Sequence, residues 1–111
     1  MKVLLFFLRN LACMTASCYI LYSKSLDGFY VGATQDDVAK RLEKHNIHSY
    51  GKHRYTAKAN DWEVFLVFEV NNFAHAVRLE CKIKSMKSKV YIQNLKKYPE
   101  LRNKILNETS T

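Results

Sequence analysis

The stretch Cys18-Tyr19-Ile20-Leu21-Tyr22-Ser23-Lys24-Ser25-Leu26-Asp27-Gly28-Phe29-Tyr30-Val31-Gly32-Ala33 decides the fold. Cys18 to Lys24 is rich in aromatic and branched apolar residues and predicts a strand. Phe29 to Ala33 predicts the strand that returns beside it. Between them, Ser25-Leu26-Asp27-Gly28 predicts a turn, and Asp-Gly is a strong hairpin signal. A hairpin here puts Tyr19 and Tyr30 on neighbouring strands.

Downstream, Thr34-x-x-Asp37 resembles a capping box with Asp in place of Glu and predicts a helix from about Gln35 to His45. Residues 46–60 are polar, with Gly51 and several histidines and basic residues, and predict a surface loop. Trp62 to Val70 is an almost continuous apolar run, which predicts a central strand buried on both faces. Phe73 to Lys87 predicts a long basic helix and Val90 to Lys97 a second. Pro99 to Leu106 predicts a third, with proline in its first turn. Residues 107–111 are expected to fray. The order β-β-α-β-α-α describes an α+β fold: a small three-stranded antiparallel sheet flanked by helices.

A chain of 111 residues suits one domain with one modest core. Eighteen Lys and Arg against ten Asp and Glu give a net charge of +8, which favours a polyanionic partner such as nucleic acid. Cys13, Cys18 and Cys81 are odd in number and lack C-x-x-C spacing. That argues against a disulfide framework and for a reducing, cytoplasmic setting, with each cysteine a small buried hydrophobe. Lys2 and the run Val3 to Leu8 look like the start of a targeting segment, but Arg9-Asn10 breaks the run. It is far shorter than the ~20 apolar residues of a membrane helix, so no membrane partner is expected. Residues 1–13 therefore read as an upstream extension, either a mis-assigned start or a short targeting-like segment. Residues 14–106 read as the domain.

Glu80 is the unusual carboxylate. At about 100° per residue, Phe73, Ala76, Leu79, Ile83 and Met86 share one arc of their helix. Glu80 falls inside that arc, while Arg78 and Lys82 lie opposite. A carboxylate on a core-facing stripe pairs with a cation or binds a metal. The pairing partner would be a nearby lysine or Arg41. Arg41 and His45, at i and i+4, stack on the helix face that carries Val38 and Leu42. Arginine grips phosphate by two hydrogen bonds, but it also snorkels at amphipathic edges. Tyr19 and Tyr30 are equally compatible with core packing. His45, His48 and His53 lack the further ligands that a zinc site needs. Basic residues interleave with aromatics: Lys52, Arg54 and Lys58 lie near Tyr50, Tyr55 and Trp62, and Lys82, Lys84 and Lys87 follow on the long helix, with Lys89 just beyond it. Such a mixture suits a phosphate backbone plus stacked bases.

Taken together, Tyr19, Tyr30-Val31-Gly32, Arg41 with His45-Asn46, and Glu80 resemble the GIY-YIG nuclease superfamily, in particular its short single-domain members. The resemblance covers roughly Ser17 to Leu95. It implies an endonuclease that hydrolyses phosphodiester bonds in DNA, in repair or recombination, with Mg²⁺ or Mn²⁺. Glu80 would be the main protein ligand of the metal, and Arg41 part of the active site. His45 would touch phosphate or help move a proton. Tyr19 and Tyr30 match the first and second motif tyrosines, and Gly32 completes the second motif. Asn94 is where members often carry a site asparagine. Ser17-Cys18 depart from the first motif, where glycine and an aliphatic residue are common. A free phenol titrates at about 10, so a tyrosine acting on water needs nearby positive charge. The resemblance is compatible with a monomer or weak homodimer and with a protein partner that supplies specificity. The competing expectation is a nucleic-acid-binding module, weak or inactive in catalysis, that works with a partner.

Overall fold

The computed structural model describes residues 15–47 and 55–111. Residues 1–13, Cys13 included, and His48, Tyr50, Lys52, His53 and Arg54 lie outside the described residues. Strand β1 (Ala16–Ser23) and strand β2 (Gly28–Thr34) form the expected hairpin, with Leu21 opposite Tyr30 and Tyr19 opposite Gly32. Asp27 takes the left-handed conformation at the turn, with φ of 47°. A short polar side chain tolerates that backbone. Its carboxylate accepts a hydrogen bond from the Tyr22 hydroxyl at 2.8 Å, which ties the turn back to β1.

Helix α1 (Val38–Asn46) starts later than the capping-box reading placed it. Asp37 is the N-cap and accepts from the Ala39 amide, while Thr34 accepts from Asp36 within the preceding bend. A 3₁₀ turn (Tyr55–Lys58) leads into strand β3 (Trp62–Val70). The sheet order is β2-β1-β3, so β1 is the central strand and β3 an edge, contrary to the expectation for Trp62–Val70. The apolar run was a poor guide because both strands are apolar, and only β1 has strands on both sides. On β3, Glu63, Val64 and Glu69 are exposed.

Helix α2 (Phe73–Met86) is capped by Asn72 and stops at Lys87, whose φ of 49° is left-handed. Helix α3 (Lys89–Lys97) is capped by Ser88, and helix α4 (Pro99–Thr109) begins at the proline. Helix α4 runs three residues past the expected end at Leu106. Arg78 explains the extension. Its guanidinium donates to the carbonyls of Thr109 at 2.6 Å and Ser110 at 3.1 Å, a cation on the helix C-terminus. His75 Nε2 also meets the Thr109 hydroxyl at 2.9 Å.

Side chains of β1 alternate between two faces of the sheet. Ala16, Cys18 and Ile20 enter a core with Val31, Phe68, Ala76, Leu79, Ile83, Ile92, Leu95 and Ile105, covered by α2, α3 and α4. Tyr19 and Leu21 enter a smaller cluster with Trp62 and Ala59, packed by Val38, Leu42, Tyr30 and Val67. Phe73 and Met86, at the two ends of the α2 stripe, are exposed, and so is Cys81. Among the described residues no helix is long and apolar enough to cross a membrane.

Candidate active site

Gly32 is the first requirement. It lies opposite Tyr19 across the hairpin, and a Cβ there would fall 2.5 Å from Tyr19 Cζ and 2.6 Å from its hydroxyl oxygen. The missing side chain lets the Tyr19 ring lie flat over β2. So placed, the Tyr19 hydroxyl reaches α1. It hydrogen-bonds His45 Nε2 at 3.0 Å and accepts from Arg41 Nε at 3.5 Å.

His45 is only 3% exposed, and its other nitrogen meets the Thr56 hydroxyl at 2.9 Å. Thr56 is held in turn, because Trp62 Nε1 donates to its carbonyl at 2.9 Å. Asn46 then clamps the Trp62 backbone, accepting from its amide at 2.8 Å and donating to its carbonyl at 3.1 Å. The chain of contacts from Asn46 through Trp62, Thr56 and His45 to Tyr19 fixes the tyrosine's direction. Thr56 is a member that the sequence did not disclose. It stands in an aperiodic polar stretch eleven residues from its partner, and no spacing signal marks it.

Tyr30 stands beside this network and is half-buried, whereas Tyr19 is fully buried. Its ring centroid lies 4.7 Å from that of His45 and 6.2 Å from that of Tyr19. On its far side the Lys84 ammonium lies 5.8 Å from the ring. Lys84 also pairs with Glu80 at 3.2 Å, one turn earlier on α2. The lysine partner considered for Glu80 is therefore present. Glu80 keeps 24% of its side chain exposed at the rim of the core. Burial first, and the negative charge of Glu80 second, push the Cys18 thiol up to about 12. That thiol is an inert part of the core.

The family model for the GIY-YIG catalytic domain matches residues 15–97. The chain belongs to the GIY-YIG family. The match opens one residue before β1 and closes at the last residue of α3, so it takes in both faces of the sheet and Glu80. No curated protein and no solved structure matched. Membership makes the coarse activity that of a nuclease, an endonuclease in its general class.

The GIY-YIG frame also sorts the remaining expected residues. Asn94 is not among the residues that line the cleft with Tyr30. It lines a separate groove of about 450 Å³ between α2, α3 and α4, together with Lys82, Met86 and Lys104. Ile92 and Leu95 face the core, and Asn94 is turned away from Ile92 by two residues, about 200° around the helix. Lys84 and Lys87 line a cleft with Tyr30, and Lys58 sits 5.3 Å from the Tyr55 ring. Lys89 instead holds the hairpin turn, pairing with the Asp27 carboxylate at 3.6 Å and donating to its carbonyl. Among the described residues no three His, Cys, Asp or Glu side chains form a metal cluster.

Proposed function

We propose that this GIY-YIG protein is a divalent-metal-dependent endonuclease acting on DNA. The observation that carries the reading is the position of Tyr30. It is half-exposed, between the Arg41–Tyr19–His45 network on one side and the Glu80–Lys84 pair on the other.

The donor set fits Mg²⁺ or Mn²⁺. Mg²⁺ keeps most of its waters and takes one or two carboxylates plus substrate phosphate. Glu80 is a partly exposed carboxylate that already holds a cation, the Lys84 ammonium, at its oxygen. When bound there, the metal supplies Lewis-acid charge to the phosphoryl group. The chain's own residues do the rest. Tyr30, the accessible tyrosine, positions the attacking water. Arg41 supplies positive charge beside the tyrosines and helps offset the charge that builds on the phosphate. Tyr19 and His45 are buried, so they act as positioning residues that hold Arg41 and the Tyr30 ring in place. Asn94, which lines the other groove, is given no role in this reading.

The reading extends to DNA repair or recombination in a reducing cytoplasm, with a protein partner where specificity is needed. Supercoiled plasmid and a branched DNA incubated with Mg²⁺, or with EDTA, test it. Metal-dependent cutting that Glu80→Ala abolishes is expected; cutting by Glu80→Ala at the wild-type rate overturns it. The Glu80–Lys84 ion pair favours one other reading, a binding module in which Lys84 keeps the metal out. That module would bind DNA in a salt-sensitive way and cut nothing.

A further inference from the structure

A second feature lies beside Tyr30 and adjoins this chemistry. A cleft of about 350 Å³ opens at the outer edge of β2, lined by Phe29, Tyr30, Tyr55, Lys84, Lys87 and Ile92. That volume is within the ~300–1,000 Å³ of small-ligand sites. β2 is an edge strand, and among the described residues no strand pairs with its outer side.

Tyr55 forms one wall. It is 41% exposed, although it is held in place from behind. Its ring packs 5.8 Å from that of Trp62. Its hydroxyl lies over Gly28, where a Cβ would come within 2.6 Å. Gly28 thus admits Tyr55 to the strand, as Gly32 admits Tyr19. The other wall carries cations: Lys84 stands over Tyr30, and Lys87 lines the cleft from the end of α2. On the Tyr55 side, the Lys58 ammonium lies 5.3 Å from the Tyr55 ring.

From this arrangement we infer that the cleft receives an unpaired nucleobase of the DNA substrate, next to the scissile phosphate. The inference rests on the nuclease reading and names its substrate class: DNA with a single-stranded nucleotide at the cut, as in a bulge, flap or branch. A fixed, exposed aromatic ring offers a stacking platform that tolerates any base, because every base has a π-face. Lys58, Lys84 and Lys87 suit the flanking phosphates. A paired base is covered on both faces by its neighbours and must leave the stack to reach such a wall, which costs unstacking energy. Unpaired nucleotides avoid that cost.

Binding in EDTA, where no cutting is expected, tests the inference. Three duplexes are compared: fully paired, with one bulged nucleotide, and with the same bulge made abasic. The wild type should bind the bulge about tenfold or more tighter than the paired duplex, the ratio one stacked base supplies. The abasic bulge should lose most of that preference. Tyr55→Ala should lose it while keeping its affinity for paired DNA, and Tyr55→Phe should retain it. Equal affinity of the wild type for the base-bearing and abasic bulges overturns the inference, with no variant needed. So does a preference that survives Tyr55→Ala, or the absence of binding to any of the three. Cutting of the bulged duplex and of plasmid in Mg²⁺ separates the two readings. Cutting without bulge preference leaves the nuclease and removes the base cleft. Bulge preference without cutting does the reverse.

Discussion

The two faces of one three-stranded sheet have been put to opposite uses. The face under α2, α3 and α4 is an apolar core, with Glu80 partly exposed at its rim. The face under α1 buries polar groups: the Tyr19 hydroxyl, both nitrogens of His45 and the Thr56 hydroxyl. Buried polar groups are tolerated only when their partners are supplied, and here each meets another at 3.0 Å or less. The contrast teaches how a small domain builds a site. One face provides stability by burial, the other provides direction by hydrogen bonding. Tyr30, on the edge strand, stands where the two meet.

The largest test of that division is Glu80. If the apolar face contributes only this carboxylate to the chemistry, Glu80→Gln should lower kcat by about 10²-fold or more while thermal stability barely moves. EDTA should reproduce the loss in the wild type. A rate within twofold of wild type would break the comparison.

Next comes Gly32. Its Cβ site is filled by the Tyr19 ring, which is rigid and fully buried, so Gly32→Val forces an overpacked hairpin. A loss of about 1–3 kcal/mol is expected. At about 4–8 °C per kcal/mol for a domain of this size, calorimetry would see it plainly. An unchanged Tm would mean that Tyr19 can move aside and that its direction is not fixed.

Thr56→Val sharpens the polar side. It removes the Thr56 hydroxyl from His45 Nδ1 inside a buried network, and a cost of about 0.5–1.5 kcal/mol follows from the lost hydrogen bond. The urea midpoint should fall and kcat should fall with it, since Tyr19 and Arg41 lose their support. If stability falls while kcat does not, His45 is structural alone.

The smallest effect lies at the hairpin's turn. Hydrogen bonds from the Ser23 hydroxyl and the Ser25 amide hold the Asp61 carboxyl below the usual aspartate range. A depressed folded pKa means the contribution is present above the unfolded value near 4. It is lost as pH falls through the folded value. The wild-type urea midpoint should therefore decline as pH drops below about 4. Asp61→Asn should show a shallower decline over the same range. Parallel profiles would remove Asp61 from the account.

Much of this was legible in the chain. Asp27-Gly28 between two aromatic runs specifies a hairpin, because few backbones other than a tight turn suit Asp-Gly there. Period-two alternation then puts Tyr19 and Tyr30 on one face and Cys18 and Val31 on the other. Glu80 showed as a carboxylate on the inner arc of a helix, a placement that demands a partner. These are local rules of backbone and periodicity, and the fold class follows from them.

Other features needed the folded molecule. Strand order was illegible, because β1 and β3 are both apolar runs and only the path of α1 and the 3₁₀ turn puts β1 in the middle. Asn94 faces another groove, because the helix turn that buries Ile92 rotates it away. Thr56 became visible only when a loop residue was brought against His45. The sequence by itself determined the elements and the hairpin that pairs the tyrosines, through interactions between near neighbours. Tertiary structure alone decided which residues share a site. Hydrogen bonds such as Tyr19–His45 and His45–Thr56 join residues far apart in the chain, and no local periodicity records them.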